Sequence, residues 1–305
     1  MSEFKVGLYQ PPSEFTMAGE TPRWENIKEM TLLGEQVGFD SVWMADHLIF
    51  RMGGGAPEKG MWECLTMLSA LAAVTSKMEL GPLVSCMGFR NPALIAKMAE
   101  SIDEISGGRF ILALGAGWHK PEYDAYGYPY DHRYSRFVEG IKIISSLIRE
   151  GNVDFQGEFY QANDCTLRPR GPRAENLPIM IGTFGKKMLR VAAEYADIWN
   201  ADWSQRFADI AEHNEELTRA CEDVGRDPAT LERTACVLLE TEGAVGRGSS
   251  HASRNQPTAP MSNDQVVDVI GEYKERGYTH IIVWIDPNTP VAIERFAPVI
   301  EQLKK

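Results

Sequence analysis

Two adjacent residues, Asp46 and His47, form a pair that could move a proton. They directly follow the apolar run at residues 40–45, which predicts a strand. After the pair comes a loop with Arg51 and several glycines. In α/β enzymes the loops after the strands converge on a shared crevice at the carboxyl edge of the sheet. Histidine there is a suitable general acid or base near neutral pH. A strand that merely ends in polar residues would give the same pattern, so the interpretation depends on the rest of the chain.

The chain repeats this layout of a short apolar strand followed by an amphipathic helix. Strands are predicted at residues 4–9, 40–45, 80–86, 109–114, 178–181, 197–200, 231–239 and 280–285. Helices are predicted at residues 23–37, 62–74, 91–105, 135–149, 186–195, 207–224, 264–276 and 290–303. Eight such pairs predict an α/β protein with one (β/α)8 TIM barrel domain over residues 1–305. A doubly wound open sheet is the alternative, because one sequence cannot show closure.

Three segments do not fit the repeat. Residues 153–167, with Gln156-Gly157 at the turn, predict an inserted β-hairpin. Residues 115–131 are rich in Tyr, Gly and Pro and predict a loop. Residues 243–260 are long and polar for a connection, so we expect a flap on the active face that closes over substrate.

Composition excludes several classes of partner. The 305 residues are 44% hydrophobic, which is enough for a sizeable core, and the net charge is -12. The basic residues are mostly scattered, so nucleic acid and anionic membranes are poor partners and a small-molecule substrate is expected. We find neither a signal peptide nor a membrane-spanning window, and expect a cytoplasmic protein. The five cysteines lack a C-x-x-C and the six histidines lack an H-x-x-x-H, so no metal site is predicted.

The residues at the predicted strand ends favour binding a flat polar ring. They include aromatic side chains, histidines and glycine turns, but no nucleophile with a matched base. Residues 115–119 lack the third glycine of a dinucleotide fingerprint, which makes a Rossmann site a weak interpretation. Residues 182–186 lead from a strand into a helix and offer N–H groups and a lysine to a phosphate. An ordinary glycine turn with solvated lysines would look the same.

Four motifs in order carry a resemblance to a known family. They lie at residues 39–47, 89–92, 106–118 and 192–200. In this order they resemble the bacterial luciferase-like flavin monooxygenase superfamily, over nearly the whole chain. The form of residues 42–47, with Glu14 just after the first strand, is similar to the branch that uses the deazaflavin coenzyme F420. Sugar-phosphate dehydrogenases of that branch carry a tryptophan shortly after the Asp-His pair, whereas this chain has Phe50-Arg51.

The resemblance implies a function. It implies an F420-dependent oxidoreductase that transfers a hydride between the deazaflavin and a small organic substrate. His47 would be the catalytic acid or base, and Glu14 would orient it or share its proton. The alternatives are an FMN-dependent monooxygenase supplied by a partner flavin reductase and, in another class, a non-catalytic binding barrel. A homodimer is also implied.

The resemblance also implies where the cofactor lies. The third strand is expected to carry a bulge with a non-proline cis peptide near Leu83-Val84, pressing on the back of the ring. The expected cofactor-binding residues are Asp46, Leu83, Val84, Ser85, Gly115, Gly117, Trp118 and His119. The expected phosphate-binding residues are Gly182, Thr183, Gly185 and Lys186.

Overall fold

The computed structural model describes residues 4–51, 57–204, 206–240 and 261–305. The flap predicted at residues 243–260 lies outside these residues.

Strands and helices alternate along most of the chain. The strands are β1 (Lys5–Tyr9), β2 (Ser41–Met44), β3 (Ile49–Phe50), β4 (Lys59–Gly60), β5 (Glu79–Pro82), β6 (Ser85–Cys86), β7 (Leu112–Gly115), β8 (Asn152–Gln156), β9 (Gln161–Thr166), β10 (Ile179–Gly182), β11 (Ile198–Ser204), β12 (Glu232–Glu240) and β13 (His280–Asp286). The α-helices are α1 (Trp24–Val37), α2 (Cys64–Val74), α3 (Pro92–Ser106), α4 (Lys120–Tyr126), α5 (Arg133–Glu150), α6 (Lys186–Tyr195), α7 (Ala211–Asp223), α8 (Asn263–Glu275), α9 (Pro290–Arg295) and α10 (Ala297–Leu303).

The main sheet is a parallel barrel. Its nine strands follow the order β5-β2-β1-β13-β12-β11-β10-β7-β6. β5 and β6 are the two halves of one barrel strand, interrupted at the cis peptide between Leu83 and Val84. A parallel bridge between Leu80 and Phe110 joins β5 to the segment that leads into β7. The ends of the sheet therefore meet, and the predicted (β/α)8 barrel is confirmed.

Two details of the predicted secondary structure were wrong. The predicted loop at residues 115–131 contains α4, a helix of seven residues with Pro121 in its first turn. Two turns are too short to show a helical period in a segment with so many tyrosines and glycines. The predicted last helix is divided into α9 and α10 at Phe296, and Pro298 lies in the first turn of α10. The inserted hairpin is confirmed as the antiparallel pair β8–β9.

Successive strand residues face two different cores. Leu8 faces outward and meets α1 at Gly34, where a Cβ would lie 2.9 Å from Leu8 Cδ2. The intervening side chains fill the barrel, and the largest of them is the fully buried Trp43. Gly7 and Gly81 make space for this indole, since a Cβ at either would lie 2.7–2.8 Å from a Trp43 atom. The glycines of β1 and β5 therefore permit a filled barrel interior.

A polar network is buried at the centre of the barrel. Trp43 Nε1 donates to Ser41 Oγ at 2.7 Å, and the same oxygen lies 2.8 Å from His280 Nε2. Because an indole N–H can only donate, the serine hydroxyl accepts from Trp43, and it shares a second hydrogen bond with His280. Burial, helped by the charge of Lys5, lowers the pKa of His280 to about 3. The folded protein thus holds this imidazole neutral.

We expect His280 to make stability depend on pH. The unfolded chain binds a proton at this residue below pH 6.5, whereas the folded chain does not bind one until about pH 3. Its contribution to the free energy of unfolding is therefore present above pH 6.5 and should fall by about 2 kcal/mol between pH 7.5 and 5. Denaturant unfolding of the wild type and His280→Gln across this range measures the difference. His132→Gln, at an exposed histidine, is the matched control, and an unchanged pH slope in His280→Gln would contradict the assignment.

Candidate active site

His47 lies at the carboxyl end of β2 and pairs with a carboxylate. Its Nδ1 is 2.7 Å from Glu122 Oε1, and the other oxygen of Glu122 accepts the backbone N–H of Leu48 at 2.9 Å. Because a carboxylate only accepts, Nδ1 donates, and Nε2 of the neutral ring carries the lone pair. The His47 side chain is 17% exposed, and among the described residues its Nε2 has no hydrogen-bond partner. The ring is therefore held from behind and can exchange a proton at Nε2.

Glu14 does not occupy the position that the sequence predicted. Its Oε2 accepts the backbone N–H of Gly60 at 2.6 Å, and its own N–H donates to the Gly60 carbonyl at 3.1 Å. These bonds fasten the β1–α1 loop to β4. The structure brings Glu122 rather than Glu14 to His47 Nδ1, and the catalytic role of Glu14 stays a prediction.

The buried carboxylate of Asp46 accepts hydrogen bonds from three residues. Its carboxylate accepts two bonds from Arg90, at 2.6 and 2.9 Å, and further bonds from Ser85 Oγ at 3.1 Å and the Cys86 N–H at 2.9 Å. The Asp46 side chain has no exposed surface, and Arg90 also bonds Glu63. Burial lowers the pKa of Arg90, but the Asp46 and Glu63 carboxylates raise it more strongly, so it lies above its ordinary value. The carboxylate of Asp46 and the hydroxyl of Ser85 are thus buried and bonded to each other.

Three aromatic side chains surround the His47 ring. Phe50, Trp118 and His119 lie with ring centroids 4.8, 5.7 and 6.2 Å from the imidazole, each close to edge-on. Trp118 is half exposed, whereas His119 is buried and stacks on Phe50. The Arg51 N–H donates to His119 Nε2 at 3.0 Å, and burial lowers the pKa of His119 against the opposing charge of Glu122. His119 therefore anchors the β3 loop as a neutral ring.

The glycine turn after β7 permits a close buried contact. Gly117 has φ +75°, and a Cβ there would lie 1.9 Å from Tyr123 Oη and 2.6 Å from Cys86 Sγ. The Cys86 thiol and the Tyr123 hydroxyl are 2.9 Å apart. Burial, partly offset by the bond from Tyr123, raises the pKa of Cys86 to about 12, so the thiol is protonated. Gly117 is required for this packing, and the packing positions α4 and therefore Glu122.

Val84 lies between two glycines at the mouth of the barrel. The predicted cis peptide between Leu83 and Val84 is present. A Cβ at Gly115 would be 2.5 Å from Val84 Cγ2, and one at Gly182 would be 2.8 Å from Cγ1. The position of the Val84 side chain therefore requires that residues 115 and 182 have no side chain.

The turn from β10 into α6 contains the residues predicted to bind a phosphate. Gly185 is the N-cap of α6, no side chain caps it, and a Cβ there would have no atom within 4 Å. Thr183 is fixed by its backbone, because its N–H donates to Asn200 and its carbonyl accepts Trp199 Nε1. Lys186 is 83% exposed and pairs with Glu216 at 3.2 Å. The start of α6 thus has no side-chain cap, and the exposed Lys186 lies in its first turn.

The comparisons with known proteins identify the family. A sequence model of the luciferase-like monooxygenase family matches residues 4–264. The chain belongs to this family. The resemblance found in the sequence is therefore confirmed.

The curated relatives of this family member are monooxygenases by name. The chain is 35% identical to pyrimidine monooxygenase RutA of Rhizobium rhizogenes over 238 residues, which cover 73% of the chain and 63% of that protein. It is 35% identical to RutA of Agrobacterium fabrum, with 72% and 61% covered. The chain thus spans about three-fifths of the length of these relatives.

Solved structures of the same fold extend over the full chain. An F420-dependent secondary alcohol dehydrogenase, in complex with an F420-acetone adduct, has a TM-score of 0.81 at 18% identity and covers 99% of both chains. An F420-dependent tetrahydromethanopterin reductase from Methanopyrus kandleri has a TM-score of 0.79 at 18% identity and covers 100% of both. At this identity the likeness shows the fold. Among the described residues of this family member, none of the helices is both long and apolar enough to span a membrane.

Glu122 is the residue that the sequence did not reveal. It lies 75 positions after His47, in a helix that was predicted as loop. The only available signal was an acid two residues after Lys120 in a turn that follows a barrel strand. A buried acid there differs from a solvated one only through its three-dimensional contacts.

We expect Asp46→Ala to destabilise this family member by about 3 kcal/mol, because it leaves the buried Arg90 charge with one partner fewer. Asp124→Ala, which removes an exposed pair with Lys120, is the control and should cost less than about 1 kcal/mol. Urea unfolding measures both. Equally small losses of stability in Asp46→Ala and Asp124→Ala would contradict the structural importance of the buried Asp46–Arg90 pair.

Proposed function

We propose that the chain is an F420-dependent oxidoreductase that transfers a hydride between the deazaflavin and a small organic substrate. The observation that carries this proposal is the His47–Glu122 pair at 2.7 Å, on the same barrel edge as Val84. Removing a hydride from a carbon that bears a hydroxyl requires loss of the hydroxyl proton. A histidine whose Nδ1 is already bonded to a carboxylate can accept that proton at Nε2.

The described residues fit such a cofactor. The uncapped start of α6 at Gly185, with Lys186, can bind a phosphate through backbone N–H groups. Val84, held between Gly115 and Gly182, offers an apolar surface for one face of a flat ring. When bound, the deazaflavin supplies the hydride acceptor or donor. Trp118, half exposed beside His47, can cover the edge of the site.

Residues of the chain itself transfer the proton and stabilise the charge that forms. In the oxidising direction His47 Nε2 takes the hydroxyl proton as the hydride leaves the adjacent carbon. The Glu122 carboxylate then stabilises the imidazolium through Nδ1, as the acid does in other acid–histidine pairs. In the reducing direction His47 returns the proton to the carbonyl oxygen. Asp46 and Ser85 do not touch the reactants in this scheme, and they act as positioning residues through β6.

A second candidate is an FMN-dependent monooxygenase that acts on a pyrimidine-like ring and receives reduced flavin from a partner reductase. The specific observation in its favour is the 35% identity to two proteins named pyrimidine monooxygenase. The same phosphate seat and the same apolar surface at Val84 would serve FMN.

Separate anaerobic titrations with F420 and FMN test the proposal. We expect tighter binding of F420, and we expect Gly185→Val to weaken intact F420 about tenfold or more, because it obstructs the charge-assisted bonds at the start of α6. Binding of the phosphate-free ring fragment should change little. Gly271→Val is the matched control, since its Cβ would also enter open space on a distant helix. Preferential binding of FMN would favour the second candidate, and equal loss for both F420 forms would place the phosphate elsewhere.

Replacement of the proton carrier should lower turnover more than cofactor affinity. We expect His47→Gln to reduce the rate of F420 reduction by a panel of alcohols about 100-fold, with a smaller loss for Glu122→Gln. The Kd for F420 should stay within a few fold. Glu14→Gln separates the two acids, because the sequence hypothesis gives the catalytic role to Glu14, whereas our proposal gives it to Glu122. A larger loss in Glu14→Gln would overturn the assignment of Glu122.

A further inference from the structure

A cavity lies at the end of the barrel opposite the catalytic histidine. Its volume is about 260 Å³, several times the roughly 30 Å³ that one water molecule occupies in the liquid. We call it the amino-end cavity, because it is lined by residues at or next to the beginnings of strands: Lys5, Glu79, Ile111, Ile198, Glu232 and His280. The catalytic face uses the carboxyl ends of the strands, so the two places are separate.

The carboxylates of the amino-end cavity outnumber the cations that pair with them. Lys5 Nζ lies 2.8 Å from both oxygens of Glu79. Asp197, which also lines the cavity, pairs with Arg149 at 2.5 Å. Within the described ranges of the chain, Glu232 forms no ion pair. The cavity therefore has one carboxylate whose charge is not neutralised by the protein.

His280 brings a buried polar atom to the same cavity. The residue is 2% exposed, and its Nε2 lies 2.8 Å from Ser41 Oγ. Among the described residues, its Nδ1 has no hydrogen-bond partner. Glu232 is close by, because it accepts the hydroxyl of Thr279 at 2.6 Å and Thr279 directly precedes His280. Buried polar atoms rarely lack a partner, so Nδ1 indicates that a ligand supplies the missing bond.

The remaining walls restrict the chemistry of that ligand. Ile111 and Ile198 are buried and give the cavity apolar surface, which favours an apolar stem. An anion would be repelled by the unneutralised Glu232. A metal ion would need several ligands, and in the part of the chain that the structure describes no group of three or more His, Cys, Asp or Glu could hold one.

We propose that the amino-end cavity is a second ligand site, and that it binds a small organic cation made of an ammonium group on a short apolar stem. An ammonium has three N–H donors and no acceptor. One donor can bind the Glu232 carboxylate and another can bind His280 Nδ1, while the stem lies against Ile111 and Ile198. The neutral imidazole accepts at Nδ1 when Nε2 carries its proton. The site does not rest on the proposed function, since it shares no residue with the catalytic face.

Three probes with the same stem test the charge of the ligand. They are n-butylammonium, 1-butanol and butyrate, titrated into the isotope-labelled full chain while amide and indole N–H chemical shifts are recorded. We expect n-butylammonium to saturate with a Kd on the order of 1 mM, as its five non-hydrogen atoms allow. The neutral and anionic probes should bind at least tenfold more weakly.

The chemical shifts also locate the probe. The Trp43 indole N–H donates to Ser41, which bonds His280, so its resonance should move together with the backbone N–H groups of the strand beginnings. A saturating concentration of whichever cofactor binds the chain should leave the Kd of n-butylammonium within about twofold, because the cofactor occupies the other end of the barrel.

Two variants with the same change of charge complete the test. Glu232→Gln keeps an oxygen for Thr279 but removes the charge, and should weaken n-butylammonium about tenfold. Glu104→Gln is the matched control, because Glu104 is an exposed acid in the last turn of α3, at the same end of the barrel but outside the cavity lining. The spectrum of each variant reports that it is folded.

Four results would overturn the proposal. They are the absence of saturable binding of n-butylammonium, equally tight binding of 1-butanol, an equal loss of affinity in Glu232→Gln and Glu104→Gln, and shifts confined to the catalytic face.

Discussion

The active face depends on the neutralisation of one buried carboxylate. Asp46 ends β2, and its bonds to Ser85 and Cys86 bring in β6 while its pair with Arg90 brings in the segment before α3. Arg90 reaches Glu63 at the start of α2 as well. A carboxylate without exposed surface is tolerated only when its oxygens are satisfied, so these bonds are obligatory rather than optional. They fix His47, which follows Asp46, relative to Val84, which precedes Ser85.

The tasks of the site are distributed over the barrel edge in a way that separates them chemically. In the proposed function, His47 after β2 supplies the imidazole, Val84 before β6 supplies an apolar surface, and the turn after β10 supplies the N–H groups at the start of α6. Each task uses a different physical property: proton affinity, apolar contact and the dipole of a helix.

The fold followed from the sequence because a parallel barrel leaves a strong pattern. Strands buried on both faces appear as continuous apolar runs, such as the run that contains β7, and each is followed by an amphipathic helix. His47 was singled out because it follows a predicted strand, and Val84 through a family resemblance carried by local motifs. Glu122 and the burial of Asp46 were not found, because each is defined by contacts between segments 44 to 75 positions apart. The bond between Glu14 and Gly60, 46 positions away, was not found for the same reason.

The indole of Trp43 has a consequence for how molecules reach and leave the site. Among the described residues, Trp43 fills the barrel between Gly7 and Gly81, and the polar network with Ser41 and His280 lies beneath it, so these side chains block the barrel axis below the mouth. In the proposed function, cofactor and substrate would therefore use the same entrance. Whichever of them binds deeper has to arrive first and depart last. A solid barrel centre in this way imposes an order on ligand exchange, independently of the chemistry performed above it.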